Sequence, residues 1–391
     1  METAFEQACE KEEIRGAVLV AASSDGRFEY EKAFGKASPD EPMLLDSTFR
    51  IASCSKLLTS IAALQCVERG QITLDEDVTP ILPELAQLPI LEGFEKESGQ
   101  PLLRQRKTTK LTLRQLLTHT AGMSHDFANP MLMQWREYHK QRVGIPATSF
   151  TTNCRLPLVY EPGAGWEYGA GIEWVGFLIA RLNDSSLQAY MQDHIWKPLG
   201  ITDMTFHLEE RPDVRAKLPQ TSKRMQNGKI EWLEEVVIPD PIQDDLGGCG
   251  IISTAQDFLK VLKSVLVNDG KLLQPATIDT LFQPQLKSTA RDALRTIMKT
   301  AERSTGFGLP ANTTVDHGLA GMLIMEDIHT GRKGGSLSWG GYPNLKWWID
   351  RETGVCGLYA SQLHPPGDPM SVKMYEIFQA EVYNRLGQIN T

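Results

Sequence analysis

The sequence predicts an α+β fold. Two observations carry it: short apolar runs bounded by turn residues gather toward both ends of the 391-residue chain, and amphipathic helical patterns fill the middle. An antiparallel sheet assembled from both termini and flanked by helices follows. Residues 1–75 and 205–391 are assigned to this sheet lobe, and 76–204 to an inserted, mainly helical lobe, the two forming one unit.

The elements read as follows. Residues 16–22 (GAVLVAA) and 27–34 (RFEYEKAF) are strands, with Ser23-Ser24-Asp25-Gly26 as the turn. From position 53, SCSKLLTSIAALQCVERG places Leu57, Leu58, Ile61, Ala62 and Leu64 at helical spacing and stops at Gly70. That helix is apolar around much of its circumference, which predicts burial. Residues 71–92, with Pro80 and Pro83, read as a loop with short helical pieces, and 93–110 as an exposed charged stretch. Residues 111–122 form a short helix with Thr112 as its cap and Gly122 as its end. Two helices follow, 171–183 and 187–200, and a third, Thr254–Val267, comes after Gly247-Gly248-Cys249-Gly250. The pieces 318–328, 334–343, 345–350 and 355–361 are strands, and Pro369–Leu386 is the last helix.

Composition narrows the function. Apolar residues at 41% and charged residues at 23% are those of an ordinary globular protein. A net charge of −9 argues against a nucleic-acid binder, which needs a basic surface. The six cysteines are scattered without a CxxC cluster, so they read as free thiols, with Cys54 and Cys249 near the site described next. The start of the chain lacks a basic segment followed by a long apolar core, and no run approaches the ~20 apolar residues of a membrane helix. The expectation is a soluble, cytoplasmic protein without membrane insertion.

Three stretches carry chemistry. Ser53-Cys54-Ser55-Lys56 is an S-x-x-K tetrad at the start of the buried helix, where a spacing of three puts both side chains on one face. A serine hydroxyl becomes nucleophilic when a neighbour takes its proton, and lysine does so when desolvation or nearby positive charge lowers its pKa. By itself the tetrad also fits an N-cap serine and a surface lysine. Tyr168, in Trp166-Glu167-Tyr168-Gly169-Ala170-Gly171, sits in a glycine-rich loop that lets a phenol enter a cleft, where a cationic lysine stabilises the phenolate; ordinary packing is the other reading. In Ser338-Trp339-Gly340-Gly341-Tyr342, paired glycines on a strand mark close approach by another group.

Together and in this order, these features resemble the serine β-lactamase and penicillin-binding family. LTLRQLLTHTAGM (111–123), PLGITDMTF (198–206) and GGCGIISTAQDFLKVL (247–262) agree with it. Within that family, ALQCVERG (63–70), LEGFE (91–95), WEYGAGIEW (166–174) and GGYPNLKWWID (340–350) resemble the fungal lovastatin-type side-chain acyltransferases. The resemblance implies a β-lactamase/transpeptidase-like fold, Ser53 as acylated nucleophile, Lys56 and Tyr168 as the general base pair, and the N–H groups of Ser53 and Tyr342 as oxyanion donors. It places Trp339, Gly340, Gly341 and Trp347 against substrate. It further implies ping-pong acyl transfer without metal or organic cofactor, from a thioester donor such as the acyl-carrier domain of a polyketide synthase, to a hydrophobic small-molecule acceptor. An esterase or thioesterase using water, release or lactonisation of a product, and a non-catalytic binding module are the rivals.

Two departures from the family count against β-lactam hydrolysis: Tyr168-Gly169-Ala170 lacks the asparagine of Tyr-x-Asn, and Trp339-Gly340-Gly341 replaces Lys-Thr-Gly. His119 and His125 read as non-catalytic. Met123, Phe127, Met131 and Met133 read as packing or as the lining of an acyl pocket. Arg104, Arg106, Lys107 and Lys110 offer a basic patch for an acidic carrier, or a solvated charge run.

Overall fold

Residues 16–23 are apolar at nearly every position because both faces of the strand they form are covered. Val18, Val20 and Ala22 point into the larger of two cores, and Ala17, Leu19 and Ala21 into the other. The computed structural model describes residues 1–108, 110–146, 148–234, 238–299, 307–310 and 312–389. Seven strands form the main sheet: β1 (Gly16–Ser23), β2 (Glu29–Gly35), β3 (Val315–His317), β4 (Met322–Ile324), β5 (Leu337–Gly341), β6 (Leu345–Asp350) and β7 (Val355–Ala360). Their spatial order is β2-β1-β7-β6-β5-β4-β3, and every neighbouring pair is antiparallel. The first strand thus pairs with the last, Val18 opposite Ala360.

Five helices matter to the site: α1 (Glu2–Glu10), α2 (Ser55–Glu68), α3 (Gly171–Leu182), α4 (Ala255–Val267) and α5 (Pro369–Ile389). α1 and α5 cover one face of the sheet, where Phe5, Tyr375, Phe378 and Val382 pack on Leu19, Trp348 and Tyr359. α2, α3 and α4 share the core of the opposite face. Every residue of α2 from Ser55 to Cys66 is buried, which is what its all-round apolar pattern required. The chain leaves it through Gly70 at φ 71°. Thr112 Oγ1 accepts a hydrogen bond from the Gln115 N–H, and the Gln115 side-chain oxygen accepts one from the Thr112 N–H, forming a capping box.

The structure departs from the sequence reading at several elements. α1 is an additional element, a helix of nine residues anchored by Phe5 and Ala8. The loop and charged stretch over 71–110 contain a hairpin, Ile90–Phe94 with Pro101–Arg104. Leu102 and Leu103, consecutive and therefore on opposite faces, are both half-exposed, so no clean alternation marks it. The strand expected over 318–328 shrinks to β4, because Gly318 N–H bonds Gly321 O in a turn, while β3 forms just before it. The helix over 187–200 is broken by a π-helical turn, Gln192–Trp196, and stops at Gly200 at φ 61°. Among the described residues no helix is long and apolar enough to cross a membrane, and all six cysteines are free.

Candidate active site

Ser53 sits in a 3-10 turn, Ala52–Cys54, that leads directly into α2. Ala52 has φ 46°, a left-handed backbone held immediately before the serine, of a kind that costs about 1–3 kcal/mol and concentrates at functional sites. One turn later Lys56 is buried while Ser53 stays partly open. Lys56 Nζ lies 3.3 Å from Ser53 Oγ and donates to Gly248 O at 2.8 Å. Tyr168 Oη donates to Ser53 Oγ at 2.6 Å, and Lys56 Nζ stands 4.9 Å from the centre of the Tyr168 ring. The structure therefore brings the three residues singled out in the sequence into direct contact.

Backbone approach fixes each of them. A Cβ on Gly169 would lie 2.4 Å from Met123 O, so only glycine lets the chain after Tyr168 pass there. The Tyr168 carbonyl accepts from His125 N–H at 3.3 Å, and Ser124 Oγ donates to Glu167 at 2.9 Å. The glycine run 247–250 has a similar origin. Thr59 Oγ1 donates to Gly247 O at 2.6 Å, next to the carbonyl that holds Lys56, and a Cβ on Gly248 would strike the Glu173 carboxylate at 2.2 Å.

Glu173 is a residue the sequence reading passed over. It lies in the first turn of α3 and is buried, and one of its carboxylate oxygens has no hydrogen-bond partner. Burial works to lower the pKa of Lys56, but its electrostatic interactions with Tyr168, Glu173 and Cys249 outweigh it and leave the pKa raised above the ordinary lysine value. The lysine is thus held as a cation rather than tuned down to a free base, the reverse of the expectation from desolvation. A cation at this position lies beside the hydroxyl groups of both Ser53 and Tyr168.

The strand opposite the serine arrives edge-on. A Cβ on Gly341 would lie 2.4 Å from Ile51 O and 3.3 Å from Cys54 Sγ, so the end of β5 presses against the turn that carries Ser53. Tyr342 follows it, exposed, with its ring 4.7 Å from that of His364. Trp339 is buried, 5.5 Å from the Tyr168 ring. Trp347 faces Trp339 across the ladder and is wholly buried, beneath the site rather than on its rim. Gly340 pairs with Lys346.

His119 is buried and does not bond Ser53. Its ring stacks on Trp339 at 5.9 Å and meets Tyr168 edge-on at 5.0 Å. Burial drives its pKa well below the ordinary value and brings that of His125 down to about 3. The His125 ring lies 5.0 Å from Tyr168, and Phe127 stacks on it at 4.8 Å. Phe127 and Met133 are exposed, whereas Met123 is buried. Of the basic patch, Arg104 pairs with Glu92 and Glu161, and Arg106 donates to the Leu85 carbonyl, which leaves Lys107 and Lys110 exposed. No cluster of His, Cys, Asp and Glu among the described residues has the geometry to hold a metal ion.

The chain is similar over its whole length to known proteins. A β-lactamase family model matches residues 1–381. Monacolin J acid methylbutanoyltransferase of Aspergillus terreus is 39% identical, over 99% of this chain and 96% of that enzyme. Lovastatin esterase of Penicillium rubens is 35% identical over 98% of both chains. A mutant of simvastatin synthase from Aspergillus terreus superimposes with a TM-score of 0.92 at 38% identity, covering 99% of this chain and 94% of the other.

Proposed function

The chain belongs to the β-lactamase family, and we propose that it is a serine acyltransferase working through an acyl-Ser53 intermediate. The donor is an acyl thioester, on the carrier domain of a polyketide synthase or on a small thiol. The acceptor is an alcohol of a hydrophobic, polyketide-like molecule. The observation that carries this reading is the contact of Ser53 Oγ with Tyr168 Oη at 2.6 Å beside a buried Lys56. Names of relatives support the substrate class: one transfers a methylbutanoyl group to monacolin J acid.

In the first half-reaction Tyr168, as phenolate paired with the Lys56 cation, takes the Ser53 proton while Oγ attacks the thioester carbonyl. The oxyanion lies between the N–H groups of Ser53 and Tyr342, which the contact of Gly341 with the Ile51 carbonyl keeps close together. Collapse expels the thiolate, which receives the proton from Tyr168. In the second half-reaction Tyr168 takes the proton of the acceptor hydroxyl, the alkoxide attacks the acyl-serine carbonyl, and Ser53 leaves reprotonated as the ester departs. Trp339, Gly340 and Gly341 form the wall for the acyl chain, with Trp347 supporting it from below. Phe127 and Met133 offer apolar surface where the acceptor enters. Sheet lobe (1–75 and 205–391) and inserted lobe (76–204) meet around this cleft in one catalytic unit that works in the cytoplasm. A carrier domain would dock through Lys107 and Lys110, since Arg104 and Arg106 are engaged within the chain.

Intact-mass measurement after mixing with a short acyl thioester tests the first step. Wild type gains one acyl mass and Ser53→Ala gains none; acylation of the mutant would overturn the assignment. A second reading, hydrolysis at the same serine, is favoured by the similarity to lovastatin esterase. Partition of the acyl-enzyme between water and a hydrophobic alcohol decides between them: ester as the main product supports the transferase, and free acid at saturating alcohol supports the hydrolase.

A further inference from the structure

A small cavity of about 10 Å³ adjoins Lys56, between α2 and the β3–β5 edge of the sheet, and Ser60, His119, His317 and Trp339 are among the residues that line it. All four are buried. Each turns up with a buried polar atom that has no hydrogen-bond partner: Ser60 Oγ, His119 Nδ1, His317 Nε2 and Trp339 Nε1. Buried polar atoms are satisfied in the great majority of cases, and leaving one unsatisfied costs about 1–3 kcal/mol. Four around one spot point to a polar occupant.

The donor and acceptor character of these atoms defines that occupant. His317 Nδ1 is bonded to Gly318 O at 2.6 Å, so it carries the proton and Nε2 is a bare acceptor. His119 Nδ1 is also without a partner, and in the tautomer protonated at Nε2 it is a second acceptor. Burial keeps both rings neutral, His317 with its pKa lowered to about 4. Trp339 Nε1–H is a donor only, and Ser60 Oγ serves either way. Lys56 Nζ uses two of its three N–H groups on Ser53 Oγ and Gly248 O, which leaves one. Two acceptors and two donors complement a molecule with two O–H groups and two lone pairs. The volume reaches the lower end of the roughly 10–15 Å³ that one water needs at least.

We propose that this cavity is a water site, and that its water is the third hydrogen-bond partner of Lys56 Nζ, with His119 and His317 as positioning residues for the lysine. The water gives its two hydrogens to the imidazole nitrogens and accepts from Trp339 and Lys56. The ammonium is then held on three sides and faces Ser53 and Tyr168 in one orientation. Both lone pairs of the water are engaged by N–H donors, so it is withheld from attack on the acyl-enzyme. The inference rests on the reading that Lys56 activates Ser53.

The test combines a crystal structure of the full chain with the rate of Ser53 labelling by a fluorophosphonate. The structure should show one water within ~3.2 Å of Lys56 Nζ and of both imidazole nitrogens. His317→Leu, which removes an acceptor, should slow labelling roughly 10- to 100-fold, as expected for a displaced catalytic group, and lower kcat for transfer with KM unchanged. His317→Gln, which restores an acceptor, should recover most of the rate. If the leucine variant does not fold, His119→Leu, which removes the other acceptor, should slow labelling in the same sense. Density for no water, equal loss in the leucine and glutamine variants of His317, or an undiminished rate in His317→Leu or, in its place, His119→Leu would overturn the proposal. Lys56→Met separates the two levels: if it labels at the wild-type rate, the role of Lys56 itself fails, and if it is inert while His317→Leu is fully active, only the water site fails.

Discussion

Gly341 approaches the carbonyl of Ile51 so closely that a Cβ would lie 2.4 Å from the oxygen. The obstacle is backbone on a strained turn, and it has no flexible end to move aside. Gly341→Ala should therefore push the end of β5 away from Ser53. Overpacking of this kind costs about 1–3 kcal/mol. The loss in kcat/KM should be far larger than the loss in stability explains, because a displacement of ~1 Å at a reacting centre costs on the order of 100-fold. Chemical denaturation beside steady-state kinetics measures both.

Tyr168→Phe removes the hydroxyl that touches Ser53 and keeps the ring packed on His119 and His125. Labelling of Ser53 should fall by about 10²–10⁴, the usual contribution of a general base, with the melting temperature nearly unchanged. A variant that labels at the wild-type rate would show that Lys56 alone activates the serine.

Glu173→Gln removes a buried negative charge that helps to keep Lys56 protonated. The lysine should then lose its proton at lower pH. If the cation is the working form, the alkaline limb of kcat/KM moves to lower pH, and an unmoved limb would show that Glu173 acts through packing alone.

Asp126 and Arg136 form an ion pair at 2.8 Å that is almost wholly buried, side chains 6% and 4% exposed. Arg136 also donates to Asn153 O, and Asp126 accepts from Gly144 N–H. The pair fastens the segment that carries His125 and Phe127. Asp126→Asn leaves a buried guanidinium unpaired, and a loss of ~3–5 kcal/mol is expected in urea unfolding.

His207 bridges Asp245 at 2.6 Å and Glu209 at 3.0 Å, and the Asp245 bond, set against partial burial, raises its pKa to about 9. Its folded pKa is above the unfolded value of about 6.5. The stability it contributes is therefore complete below pH ~6.5 and lost as pH rises through about 9. The melting temperature of wild type should fall across that window more than that of His207→Gln. Parallel curves would mean that the bridge contributes nothing to folding.

Much of this architecture was legible in the sequence. β1, α2 and the strands near the C-terminus announce themselves because burial on both faces demands continuous apolar runs. Ser53, Lys56 and Tyr168 stand out through spacing and glycine context. Glu173 did not, because one glutamate in GIEWVGFLIARL looks like a solvent-facing position until the Gly248 backbone is seen against it. His119 and His317 are nearly two hundred residues apart, and only the fold brings their rings to 5.5 Å. The hairpin at 90–104 was hidden because its charged and half-exposed apolar residues bury too little to impose a period of two.

The pairing of β1 with β7 also governs how the protein comes into being. During synthesis the N-terminal strand leaves the ribosome with only β2 for company, and a lone hairpin is at best marginally stable in water. Its second neighbour, β7, is made more than three hundred residues later. β5, which supplies the far wall of the serine's cleft, is nearly as late. Closing so long a loop is an entropic demand met only once most of the chain exists. Nascent chains that stop short of β7 therefore expose an unpaired apolar strand, and such fragments should be aggregation-prone clients of chaperones rather than partly active enzymes.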